Sequence, residues 1–361
     1  MHASLPVFRP LLLAVTIPVT ALACIAALGP SPRRATPSLP PAAVAAGPWV
    51  WVSNEGSGDL ALIDAATDEV VARVHVGKRP RGLRLGPQGR SLFAAVSGTP
   101  RPRPGLSPAY APAAERGADG IAEVDLATRR VSRVLPSGQD PEAFDLVADG
   151  RLLVVSNEET ASATIVDVSA ARLVASIAVG AEPEGVTAAP DGRLVAVTSE
   201  REHRVDFVDP GAGLAVARVA TCLRPRSVAF TRDGALAFAP CEEGGAVAVI
   251  DARALRSAGE IALPPGSRPM GIALAPDGRR LFVSNGRAGT VSAIDVVSRK
   301  VAATSAPFGQ RVWGLALTPD GRRLYVADGP ANEVVALDAA TLAVLKRIPV
   351  GDSPWGVVVT P

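Results

Sequence analysis

The residues of this 361-residue chain that could do chemistry recur once per repeat, in seven short segments resembling Pro-x-Gly. Their central residues differ, and in chain order they are Arg81, Glu142, Glu184, Arg226, Met270, Trp313 and Trp355, with Arg311 beside the sixth. A purely structural repeat does not need two arginines, two glutamates and two tryptophans in so uneven a set. Such a set can bind a polar ligand or dock a loop of a partner protein. The alternative is that the arginines and glutamates neutralise one another while the tryptophans fill the space between them.

Other catalytic motifs are missing from the sequence. Beyond residue 48 the histidines are His75, in a predicted outer strand at 73–76, and His203, in the charged turn 199–204. The two glutamates of that turn and His203 could bind a metal, although a solvated loop explains the same residues. There is no Gly-x-Ser-x-Gly, no P-loop and no Gly-x-Gly-x-x-Gly that opens a helix. The sequence therefore predicts no catalytic residue, no metal ligand and no cofactor.

The overall charge gives no indication of a charged macromolecular partner. The chain has 37 basic and 35 acidic residues, which leaves a formal net charge of +2. Proteins that bind nucleic acid usually combine a basic surface with interleaved aromatic residues, and only 4% of these residues are aromatic. We therefore expect no nucleic-acid partner.

The elements that must position the candidate residues form a repeat that begins at residue 49. A turn glycine precedes a strand-ending aspartate by 17 residues in five of six units, and the whole unit is about 42 residues long. Four short alternating strands in a unit of this length predict an all-β fold, a seven-bladed β-propeller. The inner strands would bring the candidate residues to one opening of the central channel. We call this set the channel mouth: Arg81, Glu142, Glu184, Arg226, Arg311, Trp313 and Trp355.

The turns of the repeat have predicted backbone roles. Asp-Gly between two alternating strands predicts a two-residue hairpin with positive φ at both central residues. The Asn and Glu of the Ser-Asn-Glu-like turns recur from blade to blade and are assigned to the scaffold. The aspartates that end the third strands are expected to accept hydrogen bonds from nearby backbone N–H groups. These aspartates are Asp64, Asp125, Asp167, Asp209, Asp251, Asp295 and Asp338.

The two ends of the repeat predict how the ring closes. Segment 49–55 copies a second strand, and segment 354–361 copies an inner strand. The last blade should therefore combine one C-terminal strand with three N-terminal strands, which removes free sheet edges.

One unit carries an insertion, at residues 97–119. Gly89 and Asp125 are separated by 36 residues, where other units have 17. A loop of this length either has a function or is a tolerated addition, and the sequence does not decide between the two.

The first 48 residues differ in kind from the repeat. Residues 1–29 combine a short start that carries Arg9 with an uncharged apolar stretch, which predicts an export signal or a membrane anchor. Residues 30–48 are a Pro/Ala-rich spacer that we expect to be disordered. Cleavage after Ala23 would leave Cys24 as the first residue, either unmodified or lipid-anchored. In each case we expect the propeller, residues 49–361, in the periplasm.

Two cysteines lie in the propeller, Cys222 and Cys241. Cys222 precedes an inner strand, and Cys241 lies where the same blade turns from its second to its third strand, so both should be on one face of the disc. An oxidising compartment lets them pair, and we expect a disulfide. No Cys-x-x-Cys-His segment is present, so the chain has no signal for c-type haem attachment.

Several segments carry a family resemblance. Leu281–Asn285 and Leu324–Asp328 resemble the Tyr-Val-Thr-Asn core of the YVTN β-propeller repeat family, and the likeness begins at about residue 49. A narrower likeness is to the subfamily associated with PQQ-dependent alcohol catabolism, which implies a periplasmic setting beside a quinoprotein dehydrogenase or its cytochrome c. The segments that carry it are 52–55, 140–142, 182–185, 224–226, 310–313, 329–332 and 354–357.

From these observations we expect a non-catalytic periplasmic binding or accessory protein, a monomer, linked to a PQQ-dependent alcohol oxidation system. Its partner would be a quinoprotein dehydrogenase, a cytochrome c or a small-molecule ligand at the channel mouth. The alternative is a propeller-type hydrolase or lyase, lactonase-like, with its site at the channel mouth. Such an enzyme needs a histidine with a carboxylate, or a metal, and His203 is the candidate that the sequence offers.

Overall fold

The computed structural model describes residues 47–101 and 112–360. The predicted export signal at 1–29, Cys24, almost all of the spacer at 30–48 and the middle of the insertion lie outside these ranges. No helix of the described chain has the length and apolar character needed to cross a membrane. The short 3₁₀ turns in these ranges are at Pro87–Gly89, Arg116–Ala118, Ala148–Gly150, Glu158–Thr160 and Gly286–Ala288.

Twenty-eight strands follow one another along the described chain. The first three are β1 (Trp49–Asn54), β2 (Asp59–Asp64) and β3 (Glu69–His75). Blades 1 to 3 use β4 (Leu83–Leu85), β5 (Ser91–Val96), β6 (Gly120–Asp125), β7 (Arg130–Leu135), β8 (Pro141–Val147), β9 (Leu152–Asn157), β10 (Ser162–Asp167), β11 (Arg172–Ala178), β12 (Pro183–Ala188), β13 (Val195–Ser199), β14 (Arg204–Asp209) and β15 (Leu214–Ala220). Blades 4 to 6 use β16 (Ala229–Phe230), β17 (Leu236–Cys241), β18 (Ala246–Asp251), β19 (Arg256–Ala262), β20 (Pro269–Leu274), β21 (Arg280–Asn285), β22 (Thr290–Asp295), β23 (Lys300–Thr304), β24 (Val312–Leu317), β25 (Arg323–Asp328), β26 (Glu333–Asp338) and β27 (Val344–Pro349). The last strand is β28 (Pro354–Val359).

These strands form seven four-stranded antiparallel sheets, each of which is one blade of a ring. Blades 1 to 6 contain four consecutive strands each, from β4–β7 to β24–β27. Blade 7 has the strand order β28-β1-β2-β3, with Val359 paired to Val50 and Val357 paired to Val52. The predicted seven-bladed propeller is confirmed, and so is the closure of its last blade by one C-terminal and three N-terminal strands.

The position of a strand within its blade explains its residue pattern. Both faces of β5 pack against neighbouring blades, so its residues are apolar in an almost unbroken run. Leu92 packs with Trp51 of blade 7, whereas Phe93 on the opposite face packs with Phe144 of blade 2. Each gap between blades therefore holds its own apolar core, and burial of one such aromatic side chain contributes about 2 to 3 kcal/mol.

The strand-ending aspartates have the predicted capping role. Asp209 Oδ1 is an example, since it accepts hydrogen bonds from the N–H groups of Gly211 and Ala212, both at 2.9 Å. The other six make the same kind of contact two or three residues ahead. The prediction that these carboxylates belong to the scaffold is confirmed.

The Asp-Gly turns depart from the predicted geometry. Asp149 and Gly150 have positive φ, 55° and 83°, as a two-residue hairpin requires. In the other four Asp-Gly turns only the glycine has a positive φ, 69° at Gly192 for example. The loop is longer than predicted in both cases: Val147 pairs with Leu152 around Asp149 and Gly150, and the N–H of Ala189 donates to the carbonyl oxygen of Leu194, so four residues lie between the paired strands.

A buried polar contact ties blade 6 to the closing blade. The hydroxyl of the fully buried Tyr325, on β25, donates to Asp68 Oδ1 at 2.7 Å. Arg323 Nη1 lies 2.9 and 2.8 Å from the two oxygens of the same carboxylate. Burial, together with Asp68, raises the pKa of the Tyr325 hydroxyl, which therefore remains a donor. Blades 6 and 7 are thus held together by more than apolar packing.

Candidate functional site

The seven predicted channel-mouth residues come together in the structure. They line one cavity of about 720 Å³ at the beginning of the inner strands: Arg81, Glu142, Glu184, Arg226, Arg311, Trp313 and Trp355. Met270 instead lines a narrower part of the channel, of about 140 Å³. A cavity of this size accommodates a small molecule.

Hydroxyl groups of the second strands fix the backbone at four of these residues. In blade 2, Ser156 Oγ accepts a hydrogen bond from the N–H of Ala143 at 3.1 Å and donates to the carbonyl oxygen of Glu184 in blade 3 at 2.6 Å. The same contact with the next blade links Ser53 to Arg81, Thr198 to Arg226 and Ser284 to Trp313. Each of these mouth residues is therefore positioned by two blades at once, which preorganises the site.

A second set of carboxyl groups surrounds the mouth, and the sequence did not reveal their contacts: it assigned Glu55 and Glu158 to the scaffold and placed Glu200 in a charged turn. Each directly follows the second strand of its blade, and in chain order they are Glu55, Glu158, Glu200 and Glu242. The first three line the cavity, and Glu242 Oε2 lies 3.7 Å from Arg226 Nε. Glycine occupies the same position in blades 5 and 6, and this variation between blades was the available signal.

The first cluster of the mouth is built around the buried guanidinium of Arg81. It donates hydrogen bonds to Asp140 Oδ1 at 2.5 Å and to Glu142. Ser97 Oγ also donates to Asp140, at 2.6 Å. Burial raises the pKa of Asp140, but the charge of Arg81 and the Ser97 hydroxyl outweigh burial and hold that pKa below its usual range. Asp140 is therefore the ionised carboxylate of this cluster.

The second cluster is built in the same way around Arg226. Its Nη1 lies 2.7 Å from Glu184 Oε2 and donates to Glu200. Arg224 Nε donates to the other oxygen of Glu200 at 2.6 Å. Burial raises the pKa of Glu200, but the hydrogen bond with Glu184 and the two arginines outweigh burial and hold that pKa below its usual range. Glu200 is therefore ionised.

Each cluster also contains a carboxyl group that resists ionisation. Burial raises the pKa of Glu142 well above its usual range, and Glu158 adds to this effect, which the buried arginine of the cluster opposes. Burial raises the pKa of Glu184 in the same way, with Glu200 adding to it and the arginine opposing it. Each cluster thus places a glutamic acid with a raised pKa beside a carboxylate with a lowered one, Asp140 in the first and Glu200 in the second.

The other half of the mouth is aromatic. Blades 5 to 7 contribute Met270, Trp313 and Trp355 at the positions that carry charges in blades 1 to 4. The two indole rings have centroids 5.9 Å apart. The guanidinium of Arg311 lies 4.4 Å from the Trp313 ring, and that of Arg226 lies 5.6 Å from it. The cavity therefore has a charged side and an aromatic side.

One group of carboxyls within the described chain has the spacing of metal ligands. Oxygens of Asp140, Glu142 and Glu158 all lie within 4.8 Å of one another. Arg81 donates hydrogen bonds to the first two, so a guanidinium already lies where a cation would compete for these oxygens.

The described part of the insertion forms a wall of the same cavity. Thr99 and Arg101 line it, and Arg101 pairs with Glu55 at 3.4 Å. Thr99 Oγ1 donates to Glu159 of blade 2 at 2.9 Å, and Arg116 pairs with the same glutamate. The insertion therefore covers part of the charged side.

The cavity of the mouth is not lined by any of the cysteines and histidines of the described chain, which are Cys222, Cys241, His75 and His203. Cys222 and Cys241 form a disulfide, with Cα atoms 5.6 Å apart. His203 Nδ1 lies 2.9 Å from the carbonyl oxygen of Glu200. His75 lines a separate pocket of about 370 Å³. The candidate histidine of the enzymatic alternative therefore has no access to the cavity.

No family model and no curated protein matches the sequence. Solved structures do match it. A candidate 6-phosphogluconolactonase from Bacteroides fragilis is 18% identical with a TM-score of 0.72, over 89% of this chain and 100% of that chain. Hydrazine synthase of Kuenenia stuttgartiensis is 21% identical with a TM-score of 0.64, over 77% and 88%. The dihydro-heme d1 dehydrogenase NirN is 16% identical with a TM-score of 0.61, over 86% and 74%. Likeness at these identities establishes the propeller fold.

These comparisons contradict the expected non-catalytic role. The three neighbours are named as enzymes, and none is named as an accessory protein of alcohol oxidation. The expectations of a non-catalytic PQQ-linked accessory protein and of no enzymatic activity are therefore wrong. The first depended on a family resemblance, and the second on the lack of catalytic motifs and of a suitable histidine. Buried glutamic acids with raised pKa values, such as Glu142 and Glu184, supply acid–base groups without one.

Proposed function

We propose that this chain is a propeller-type hydrolase or lyase, lactonase-like, with its site at the channel mouth. The observation that carries the proposal is the pair of buried clusters in which burial raises the pKa of Glu142 and Glu184 well above the usual range, beside Asp140 and Glu200 with lowered pKa values. General acid–base catalysis needs one group of each kind within reach of the substrate. The fold shared with a candidate 6-phosphogluconolactonase supports the same class of reaction.

Hydrolysis of a lactone would use the second cluster as follows. Glu200 accepts a proton from a water molecule, whose oxygen attacks the carbonyl carbon of the lactone. Glu184 donates its proton to the ring oxygen as the carbon–oxygen bond breaks, and the product is a hydroxy acid. The guanidinium of Arg226, which contacts both carboxyl groups, stabilises the negative oxygen of the tetrahedral intermediate. In a lyase reaction the same base removes a proton from carbon and the same acid protonates the leaving group.

The shape of the cavity favours a small ring as the substrate. Its volume of about 720 Å³ lies in the usual range for small-molecule sites. The indole rings of Trp313 and Trp355, tilted by 34° to each other, offer an apolar surface on one side, and the carboxyl clusters lie on the other. A sugar-derived lactone has one face for the indoles and hydroxyl groups for the carboxyls.

The test is a hydrolysis assay with the full chain. Release of acid is followed by pH-stat with glucono-δ-lactone, its phosphorylated form and a panel of cyclic and linear esters. We expect hydrolysis of at least one lactone, and a loss of kcat/KM of about 10²- to 10⁴-fold in Glu184→Gln or Glu142→Gln. Glu243→Gln is the matched control, because Glu243 neighbours the second cluster without lining the cavity. A panel without turnover, or unchanged kcat/KM when Glu142→Gln and Glu184→Gln are combined in one variant, would refute the proposal.

We also propose that the repeats belong to the YVTN family and that the propeller is exported. The segments Leu281–Asn285 and Leu324–Asp328 support the first statement, and the apolar stretch within residues 1–29 supports the second. N-terminal sequencing of the protein from a periplasmic extract tests the export. Recovery of the chain only in the cytoplasm would contradict it.

A further inference from the structure

Arg311 differs from the two buried arginines of the mouth in having no close partner. Its Nη2 lies 3.8 Å from Glu242 Oε1, and its guanidinium makes no hydrogen bond to any residue that the structure describes. Arg81 and Arg226 each contact two carboxyl groups at 2.7 Å or closer. Since Arg311 also lines the cavity, its donors are available to a ligand.

Glu242 does not neutralise Arg311, because it is shared. Its Oε2 lies 3.7 Å from both Arg224 Nε and Arg226 Nε, so three guanidinium groups surround one carboxylate. Burial lowers the pKa of Arg311, and the charges of Arg226 and Arg287 add to this effect while Glu242 opposes it. Burial and the neighbouring arginines therefore outweigh Glu242 at Arg311, and a bound anion would supply further negative charge.

The aromatic side of the mouth holds Arg311 in a defined plane. Its guanidinium lies over the Trp313 ring at 4.4 Å, which orders the planar group and leaves the N–H edge free for a two-pronged contact with an oxyanion. The ring of Trp355 continues this surface, 5.9 Å from that of Trp313.

We propose that Arg311 is the anion-recognition residue of the cavity and binds a carboxylate or phosphate group carried by a small ring that lies against Trp313 and Trp355. This inference rests on the proposed function in assigning the cavity to a substrate. It also orients that substrate. Arg226 lies 5.6 Å from the Trp313 ring and 2.7 Å from Glu184, so a ring anchored at Arg311 has its far side near the acid of the second cluster.

Binding is measured by calorimetry on the full chain, without turnover, using four probes: glucose, glucuronate, glucose-6-phosphate and inorganic phosphate. Arg311→Met removes the charge and keeps most of the apolar length. Arg311→Lys keeps the charge and removes the planar fork. Arg287→Met is the control, since it removes a neighbouring positive charge from outside the cavity.

We expect the wild-type protein and Arg287→Met to bind the two anionic sugars at least about tenfold more tightly than glucose. Arg311→Met should weaken the binding of both anionic sugars by about 10- to 100-fold and leave glucose unchanged, with Arg311→Lys between the two. Equal affinity for charged and neutral sugars, no binding of either anionic sugar, or discrimination that survives in Arg311→Met would overturn the inference. If inorganic phosphate bound as tightly as glucose-6-phosphate, the ring would add nothing to binding, and the proposed contact with the indoles would be wrong. Because no step depends on catalysis, anion binding that requires Arg311 can stand even if every lactone proves inert.

Discussion

Replacing Glu184 by glutamine tests whether this buried carboxyl holds a proton, because the two protonation states predict different costs. A protonated Glu184 accepts from Arg226 and donates to Glu200, and a glutamine amide reproduces both contacts. The cost in the free energy of unfolding should then be within about 1 kcal/mol. If Glu184 were ionised, the same change would remove one partner of a buried ion pair, at a cost of about 3 to 5 kcal/mol.

The pH dependence of the free energy of unfolding distinguishes the same two protonation states. The pKa of Glu184 is raised in the folded protein, so the folded state keeps a proton that the unfolded chain releases. Between the unfolded and the folded pKa, the free energy of unfolding therefore falls as the pH rises, by about 1.4 kcal/mol per pH unit for each such group. Glu142 adds a parallel contribution. Asp140 and Glu200 have lowered pKa values, so their contributions are lost only as the pH falls below the usual carboxyl range.

The assay is urea unfolding followed by tryptophan fluorescence at several values between about pH 5 and pH 8, above the usual pKa of a glutamic acid. We expect the wild-type protein to be less stable at the upper end, and Glu184→Gln to reduce this slope and to match or exceed wild-type stability there. Glu243→Gln should keep the wild-type slope. A wild-type stability that is flat or rises with pH, or a loss of about 3 kcal/mol or more in Glu184→Gln, would refute the reasoning.

Three further outcomes are expected. Replacing both Cys222 and Cys241 by serine should lower the free energy of unfolding by about 3 kcal/mol, because the disulfide closes a loop with a sequence separation of 19 and so reduces the entropy of the unfolded chain. Two alkylated thiols in the intact mass of the native protein would show that the disulfide is absent. Tyr325→Phe removes a hydrogen-bond donor from the carboxylate of Asp68 and should lower the free energy of unfolding by about 1.5 to 3 kcal/mol, measured by chemical denaturation. An unchanged free energy would mean that apolar packing alone holds blades 6 and 7 together. Ser156→Ala leaves a buried N–H of β8 without its partner and should cost about 1 to 3 kcal/mol in the same measurement, whereas the exposed Ser132→Ala should be neutral.

The blades could be predicted from the sequence because their signals are local. Strand alternation, the Asp-Gly turns and the capping aspartates each depend on residues only a few positions apart. Even the closure of the ring could be predicted, since segments 49–55 and 354–361 are incomplete copies of one unit. The turn at Gly192 shows the limit of such signals. Its Asp-Gly pair predicts a two-residue loop. The hydrogen bond from the N–H of Ala189 to the carbonyl oxygen of Leu194 instead closes a loop of four residues.

The chemistry of the mouth could be predicted only in part, because it arises between blades. The variation among the inner-strand starts identified Glu142 and Glu184. The role of Glu200 was missed, since the sequence placed it with His203 in a charged turn and its contact with Arg226 crosses from blade 3 to blade 4. The raised pKa of Glu184 depends on burial, on Glu200 of the same blade and on Glu142 of blade 2. The spacing of residues along the chain does not reveal burial or contacts between side chains. The sequence therefore suggested a histidine as the acid–base group, whereas the structure contains pairs of carboxyl groups.

The closure of blade 7 also sets the order of events in folding. Ser53 Oγ accepts the N–H of Gly356 from a position 303 residues away in the chain, next to Trp355 of the aromatic side. Closing a loop of about 300 residues costs about 3 kcal/mol more in chain entropy than closing one of about 10 residues. The local hairpins should form first and the ring should shut last. Trp355 then joins the cavity in the final step, so ligand binding in a refolding experiment should recover more slowly than strand structure does.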